Sequence, residues 1–165
     1  MRLTPALFAL VTLACTNERP PAALSAAHAV ALQDSARAFA TAVAQGVSAN
    51  GPTAWSAFFV DRPDFFMASE GKLVFASGDA AAQGIRGLPR VIRHIELQWL
   101  DSIRVDPLAP GLVALAMAYH EARVDSAGRR MDEGGFFTGI AEHGASGWRF
   151  RQAHWSVLPP PREVH

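Results

Sequence analysis

Apolar side chains return every three or four positions from residue 29 onward, which is the period of an amphipathic helix. Ser25 can accept a hydrogen bond from the first turn, and Gly46 is a residue type that commonly ends helices. The pattern therefore predicts a first helix between these two residues. Its apolar stripe consists of Leu32, Ala36, Phe39, Ala40, Val43 and Val47.

Two smaller elements are predicted next. Asn50-Gly51-Pro52 places a proline in the first turn of a second, short helix. Glu70-Gly71 is a two-residue turn between the apolar runs 65–69 and 72–76, which indicates a small hairpin. The aromatic residues that the second helix would carry are Trp55, Phe58 and Phe59.

A third helical region is predicted to begin near Ser77, to be interrupted at 84–87 and to restart with Pro89 in its first turn. The spacing of its apolar residues again fits one face of a helix. That stripe contains Leu88, Ile92, Ile95 and Trp99.

The rest of the chain has the character of strands. Connectors 107–110, 126–128 and 144–147 are rich in turn-forming residues and too short for crossover helices, so the strands form an antiparallel meander. Helices followed by strands define an α+β domain with helices packed on one face of a sheet. The predicted strands are 100–106, 111–125, 130–143 and 148–158.

The first fifteen residues have a different pattern. A short apolar run after Arg2 would rise only about 16 Å as a helix, too little to span a bilayer, and is typical of a signal peptide. The stretch Val11-Thr12-Leu13-Ala14-Cys15 resembles a bacterial lipobox, and Cys15 is the single cysteine of the chain. We therefore expect lipidation of Cys15. The alternative is cleavage by ordinary signal peptidase, which leaves a soluble periplasmic protein.

These features predict the domain organisation. Residues 1–14 form the signal peptide, 15–28 a lipid-anchored flexible spacer, 29–160 the folded domain and 161–165 a tail. Thr16, rather than Asp, follows the cysteine and resembles the pattern of lipoproteins sent to the outer membrane. The expected location is the periplasmic face of that membrane, with contact to the bilayer through the lipid alone.

Charge excludes one class of partner. The chain has 15 Lys and Arg residues against 15 Asp and Glu residues, a formal net charge of zero. A nucleic-acid binder needs a basic face to displace phosphate counterions, so nucleic acid is not an expected partner.

Strand parity identifies the candidate site residues. In the strand 111–125 one row is bulky, and the other is mainly alanine with His120. The bulky row reads Val113, Leu115, Met117, Tyr119, Glu121 and Arg123, and Tyr119 and Glu121 are expected where the core opens to solvent. In the last strand, strict alternation would place Gln152, His154 and Ser156 on the face that carries Trp148 and Phe150. The bulky row should face the helices and line a mostly apolar pocket. Its predicted lining is Trp99, Met117, Tyr119, Phe150 and Gln152.

His154 beside Glu121 would form a proton-transfer pair, because a carboxylate can orient an imidazole and raise its pKa. The alternative is that His154 and Ser156 only stabilise the last strand. Asp132-Glu133 is interpreted as a solvated strand end, in a strand that could bulge at Gly134-Gly135. The histidines share no ligand spacing, so neither a metal nor a cofactor is expected.

Three features together resemble a known superfamily. They are the turn Asp125-Ser-Ala-Gly128-Arg129, Trp148 at the start of the last strand, and His154 and Ser156 six and eight residues later. Between about residues 32 and 158 the chain is similar to nuclear-transport-factor-2-like proteins, within them to SnoaL-like domains and the association domain of calmodulin-dependent kinases. The resemblance implies a cone-shaped roll, in which a curved antiparallel sheet wraps around three N-terminal helical segments.

The resemblance leaves two functions open, because the superfamily contains isomerases and dehydratases as well as subunits that only bind or assemble. The first is a pocket that binds a small, mostly apolar molecule, with or without proton-transfer chemistry. The second is a non-catalytic binding or assembly module that forms a homodimer through the alanine-rich face of the sheet. Ala68 stands where ketosteroid isomerases carry a catalytic carboxylate, so that particular chemistry is not transferred to this chain.

Overall fold

The computed structural model describes residues 24–159. Cys15, the predicted signal peptide, most of the predicted spacer and the predicted tail lie outside the described residues. Within them, no helix is both long and apolar enough to cross a membrane. The domain is α+β, with its helices ahead of a curved, unclosed sheet, as the residue pattern and the resemblance predicted.

Two α-helices and two short 3-10 helices precede or interrupt the sheet. Helix α1 spans Ala26–Asn50, and α2 spans Gly78–Gly87. The 3-10 helices are Pro52–Ala57 and Leu88–Arg90. The strands are β1 (Phe66–Ser69), β2 (Lys72–Phe75), β3 (Ile92–Ala109), β4 (Leu112–Asp125), β5 (Arg130–Gly144) and β6 (Gly147–Val157).

Helix α1 is longer than predicted. The Ser25 side chain caps its start by accepting from the His28 N–H, as expected. The end lies beyond Gly46, because Gly51 at φ 76° terminates the helix instead. Gly46 serves packing, since a Cβ there would lie 2.8 Å from Cζ of Phe58. The glycine therefore marks a close contact within the helix and not its end.

The six strands form one sheet in the order β2-β1-β6-β5-β4-β3. Strands β3 to β6 make the predicted antiparallel meander, and β1 and β2 make the predicted hairpin. Strand β1 joins β6 in parallel, a pairing that no local pattern indicates. The turn between β4 and β5 is closed by Asp125, whose Oδ1 accepts from the N–H groups of Ala127 and Arg129.

The predicted third helix is wrong beyond residue 87. Helix α2 continues through Gly84, and the segment from Ile92 onward is strand β3. Ile95 and Leu97 are buried and Trp99 is half-buried, while the residues between them are exposed. Burial at every second position is the period of a strand. The spacing of residues 92, 95 and 99 also fits one face of a helix, which explains the wrong prediction. Trp99 therefore lies on a strand.

The core lies between α1 and the inner face of the sheet. Ser48 Oγ accepts from the Leu97 N–H at 2.9 Å, and the indole of Trp99 donates to the Ala40 carbonyl at 2.6 Å. Helix α1 is thus fixed along β3. The bulky row of β4 faces this core as predicted: Val113, Leu115, Met117, Tyr119 and Glu121 are buried.

Candidate functional site

A cavity of about 280 Å³ opens at the end of the core, beside the C-terminal end of strand β4. Its walls come from the hairpin, α2, both 3-10 helices and the sheet. Three charged side chains lie together in this otherwise apolar lining: Glu121, Arg123 and Glu133. The remaining lining residues are Pro52, Trp55, Phe59, Met67, Ser69, Val74, Phe75, Ile85, Leu88, Ile92, Ile95 and Trp155.

Glu121 is the most deeply buried of these charged groups, with 8% of its surface exposed. It occupies a core-facing position of β4, directly opposite Glu133 of β5. Burial, more than the repulsion from Glu133, raises the pKa of Glu121 to about 7, while Arg123 opposes the rise. The side chain therefore exchanges a proton near neutral pH.

Arg123 joins the two carboxylates. Its Nη2 donates to Glu133 Oε2 at 2.7 Å, and its Nε lies 3.2 Å from Glu121 Oε1. That Nε is buried and makes no aligned hydrogen bond with any described residue. The second oxygen of Glu133 accepts from the Tyr119 hydroxyl at 3.0 Å. Glu133 is thus satisfied on both oxygens, whereas Glu121 is held only by proximity to Arg123.

This arrangement suits proton transfer. A carboxyl group with a pKa near working pH is an efficient general acid or base, and a water-poor cavity strengthens its interaction with a bound molecule. Burial also raises the pKa of Tyr119, so its hydroxyl stays protonated and remains a donor to Glu133. Among residues 24–159 no group of three or more His, Cys, Asp and Glu side chains could hold a metal ion.

Most of the predicted lining residues pack the core beside the cavity. Met117, Tyr119 and Phe150 are fully buried, and Trp99 stacks on Trp155 at 5.9 Å between ring centroids. These four residues belong to the packed core next to the cavity. Of the seven pocket and proton-transfer residues that the sequence singled out, Glu121 is the one that lines this cavity.

The structure separates His154 from Glu121. The pairing of β5 with β6 shifts by one residue, from Ile140 opposite Gln152 to Ala141 opposite Phe150, so that Arg151 is an extra residue in β6. Such a bulge reverses the alternation that follows it. Phe150 is buried on the inner face, whereas Gln152 and His154 line a shallow groove on the outer face. The predicted shared face, and with it the His154–Glu121 pair, is wrong.

Trp155 takes the inner position that simple alternation assigned to its neighbours. Its ring centroid lies 4.7 Å from those of both Tyr119 and Phe137, and 5.7 Å from that of Trp55. The bulge lies in the stretch Phe150-Arg151-Gln152, which contains no glycine. No residue type in the sequence therefore indicates it. Sequence reasoning therefore missed Trp155.

Arg123 and Glu133 were also missed as site residues, although a signal existed. Glu133 was interpreted as part of a solvated strand end, but it is directly paired with Glu121 across the two strands. Counting back from the turn at Asp125 would have placed the two carboxylates opposite each other. The glycines that follow do not bulge, since the pairing of Gly134 and Gly135 with His120 and Tyr119 is regular.

No protein-family model matches the chain, and no curated protein matches its sequence. Solved structures do match its fold. A nuclear transport factor 2 (NTF2-like) superfamily protein from Salmonella enterica superposes with a TM-score of 0.61 at 12% identity, covering 84% of this chain and 98% of its own. The chain has the NTF2-like fold.

Two further structures show the range of proteins built on this NTF2-like fold. A candidate scytalone dehydratase from Novosphingobium aromaticivorans has a TM-score of 0.65 at 13% identity, covering 82% of this chain and 91% of its own. A candidate calcium/calmodulin dependent protein kinase II association domain from Xanthomonas campestris has a TM-score of 0.61 at 15% identity, covering 76% and 87%. At these identities the likeness concerns the fold alone.

Proposed function

We propose that the cavity binds a small, mostly apolar molecule and that Glu121 moves a proton to or from it, in chemistry of the isomerase or dehydratase type. The observation that carries this proposal is a buried carboxyl group with a pKa of about 7 that faces an apolar cavity. A structural neighbour named for a dehydratase is compatible with it. His154 lies on the outer face of the sheet and has no part in the proposed site.

Binding is tested first, by thermal denaturation of the wild-type protein against a panel of small apolar ketones, alcohols, lactones and amines. A ligand that occupies the cavity should raise Tm, and the increase should grow with the logarithm of its concentration above Kd. The control is Ser69→Trp, which fills the cavity from the end of β1 and should abolish the shift. Absence of stabilisation by every member of the panel would remove the ligand-binding proposal.

Chemistry is tested on any ligand that is turned over. Glu121→Gln keeps the size of the side chain and removes proton transfer, so kcat should fall by roughly 100-fold or more. His154→Gln, on the outer face, and Asp132→Asn, which removes an exposed carboxylate paired with Arg130, should leave kcat unchanged. Full turnover by Glu121→Gln would show that Glu121 is not the catalytic group.

A second candidate function is assembly through the outer face of the sheet. The small side chains of β4 line a groove of about 340 Å³ there, and the neighbouring Phe136 is 46% exposed. We infer that a second copy of the chain is the occupant that would cover such a face. Sedimentation of the wild type and of Ala116→Arg tests this, because a dimer should dissociate in the variant. A wild type that is monomeric at every concentration would exclude it.

We also propose that the protein is exported and anchored to the periplasmic face of the outer membrane by a lipid on Cys15. Support comes from the lipobox-like stretch Val11–Cys15 and from the absence of any other cysteine in the chain.

A further inference from the structure

The three charged side chains of the cavity do not balance one another. Arg123 and Glu133 form a tight pair at 2.7 Å, and the Tyr119 hydroxyl completes the hydrogen bonding of Glu133. Their charges cancel, which leaves Glu121 as the unmatched charge. Within the described chain no donor makes a hydrogen bond to Glu121, although Arg123 Nε lies 3.2 Å away.

An unmatched buried carboxylate favours some ligands over others. An ionised Glu121 is largely buried and shares its arginine with Glu133, so a ligand cation that reaches it supplies the missing counter-charge. A ligand carboxylate would instead face two acidic side chains across a single arginine. A neutral ligand can exchange at most a hydrogen bond with Glu121 and leaves the charge uncompensated.

The apolar part of the same cavity is suited to the hydrocarbon part of such a ligand. Trp55, Phe59 and Trp155 line it, and the rings of Trp55 and Trp155 meet edge to face at 5.7 Å. Aromatic side chains bury the hydrocarbon part of a ligand over a large contact area. One cavity thus combines three aromatic side chains with a carboxylate whose arginine neighbour is shared with Glu133.

We infer that the molecule bound by this cavity is an apolar amine, held with its ammonium group against Glu121 and its hydrocarbon part among Trp55, Phe59 and Trp155. The inference rests on the proposed function, because it names the ligand class for the same cavity. It also gives Glu121 a definite form in the complex. A carboxylate paired with an ammonium group is ionised and acts as a proton acceptor.

Three isosteric probes test the inference: tryptamine, its alcohol analogue tryptophol and its carboxylate analogue indole-3-acetate. Isothermal titration calorimetry of the full chain should rank tryptamine first and indole-3-acetate last. An alkyl ammonium group stays protonated below about pH 10, so the pH dependence reports Glu121. Tryptamine affinity should increase by roughly 10- to 30-fold between pH 5.5 and 8.5, whereas tryptophol affinity should not increase.

Variants separate the carboxylate from the cavity. In Glu121→Gln the pH dependence should disappear, and tryptamine should bind within about threefold of tryptophol. The matched control is Asp132→Asn, which removes one exposed carboxylate of the neighbouring strand and should retain the wild-type pH dependence.

The outcomes distinguish the two proposals. If tryptophol binds the wild type as tightly as tryptamine, the amine preference is overturned and the apolar cavity stands. The same conclusion follows if Glu121→Gln keeps the preference for tryptamine. If none of the three probes binds at millimolar concentration and the wider panel also fails, the cavity is not a ligand site and both proposals fall.

Discussion

Glu121 occupies a position that packing alone would give to an apolar residue. Its neighbours in the inner row of β4 are Tyr119, Met117 and Leu115, all nearly inaccessible to solvent. A carboxylate in such a row costs stability when ionised, and the cost increases because Glu133 lies directly opposite. Arg123 offsets this cost in part. We therefore attribute the presence of Glu121 to ligand binding in the cavity, because it does not stabilise the empty protein.

The pKa of Glu121 leads to a prediction about stability against pH. A folded pKa of about 7, above the ordinary value of 4.5, means that the folded protein binds the proton more tightly than the unfolded chain does. The contribution of this group is therefore fully present below pH 4.5 and is lost as pH increases toward and through 7. Between pH 5 and pH 8 the wild type should lose roughly 2–3 kcal/mol relative to Glu121→Gln.

Urea denaturation of both proteins at half-unit pH intervals measures this difference. The other titrating groups are common to the two proteins, so their effects cancel in the comparison. The variant should match the wild type near pH 5 and exceed it at pH 8. A difference that stays constant across this range would contradict the proposed burial of Glu121.

At the scale of elements, β4 and β5 position the polar end of the cavity. Gly135 of β5 permits the close packing of Tyr119 in this pair of strands. Gly135 pairs with Tyr119 across the sheet, and the tyrosine ring lies against its backbone. A Cβ at residue 135 would lie 2.9 Å from Cε1 of Tyr119 and would clash with the Ser156 carbonyl oxygen. The glycine therefore makes room for the ring whose hydroxyl orients Glu133.

Two adjacent glycines make a matched test of this role. Gly135→Ala should destabilise the protein by roughly 2–4 kcal/mol, because the clashing oxygen belongs to the backbone and cannot rotate away. In Gly134→Ala the nearest atom is 3.5 Å away, so its stability should stay within about 1 kcal/mol of the wild type. Denaturation midpoints of the two variants provide the measurement. Equal losses in the two variants would show that position 135 has no special need for glycine.

The same elements show what a sequence can and cannot predict here. Period-two burial along β4 identified the inward position of Glu121, because one row is bulky and the other is alanine. Helix and strand periods coincide at Ile92, Ile95 and Trp99, so local spacing could not separate them. The extra residue Arg151 in β6 reverses the alternation of side chains in a stretch without glycine. His154 therefore lies on the outer face of the sheet. Tertiary pairing decides such cases, and a single sequence does not report it.

On the scale of the whole molecule, α1 separates the cavity from the point where the described chain begins. Leu24 precedes the helix, and Pro52, which lines the cavity, follows its other end. A helix of 25 residues is roughly 37 Å long. The start of α1 and the cavity therefore lie at opposite ends of this helix.

This separation yields a prediction for Cys15. Metabolic labelling with a radioactive fatty acid should mark the wild type, and fractionation should recover it with the membranes. Cys15→Ser should lose the label and move to the soluble fraction, because the thiol that would carry the lipid is absent. Thr16→Ser, which keeps the cysteine, is the control and should behave as the wild type. Since the cavity lies at the far end of α1, Cys15→Ser should have the Tm of the wild type, and its affinity for tryptamine should stay within about twofold of the wild-type value. An unlabelled wild type would refute the lipid anchor while leaving the site intact, and a labelled Cys15→Ser would assign the lipid to another residue.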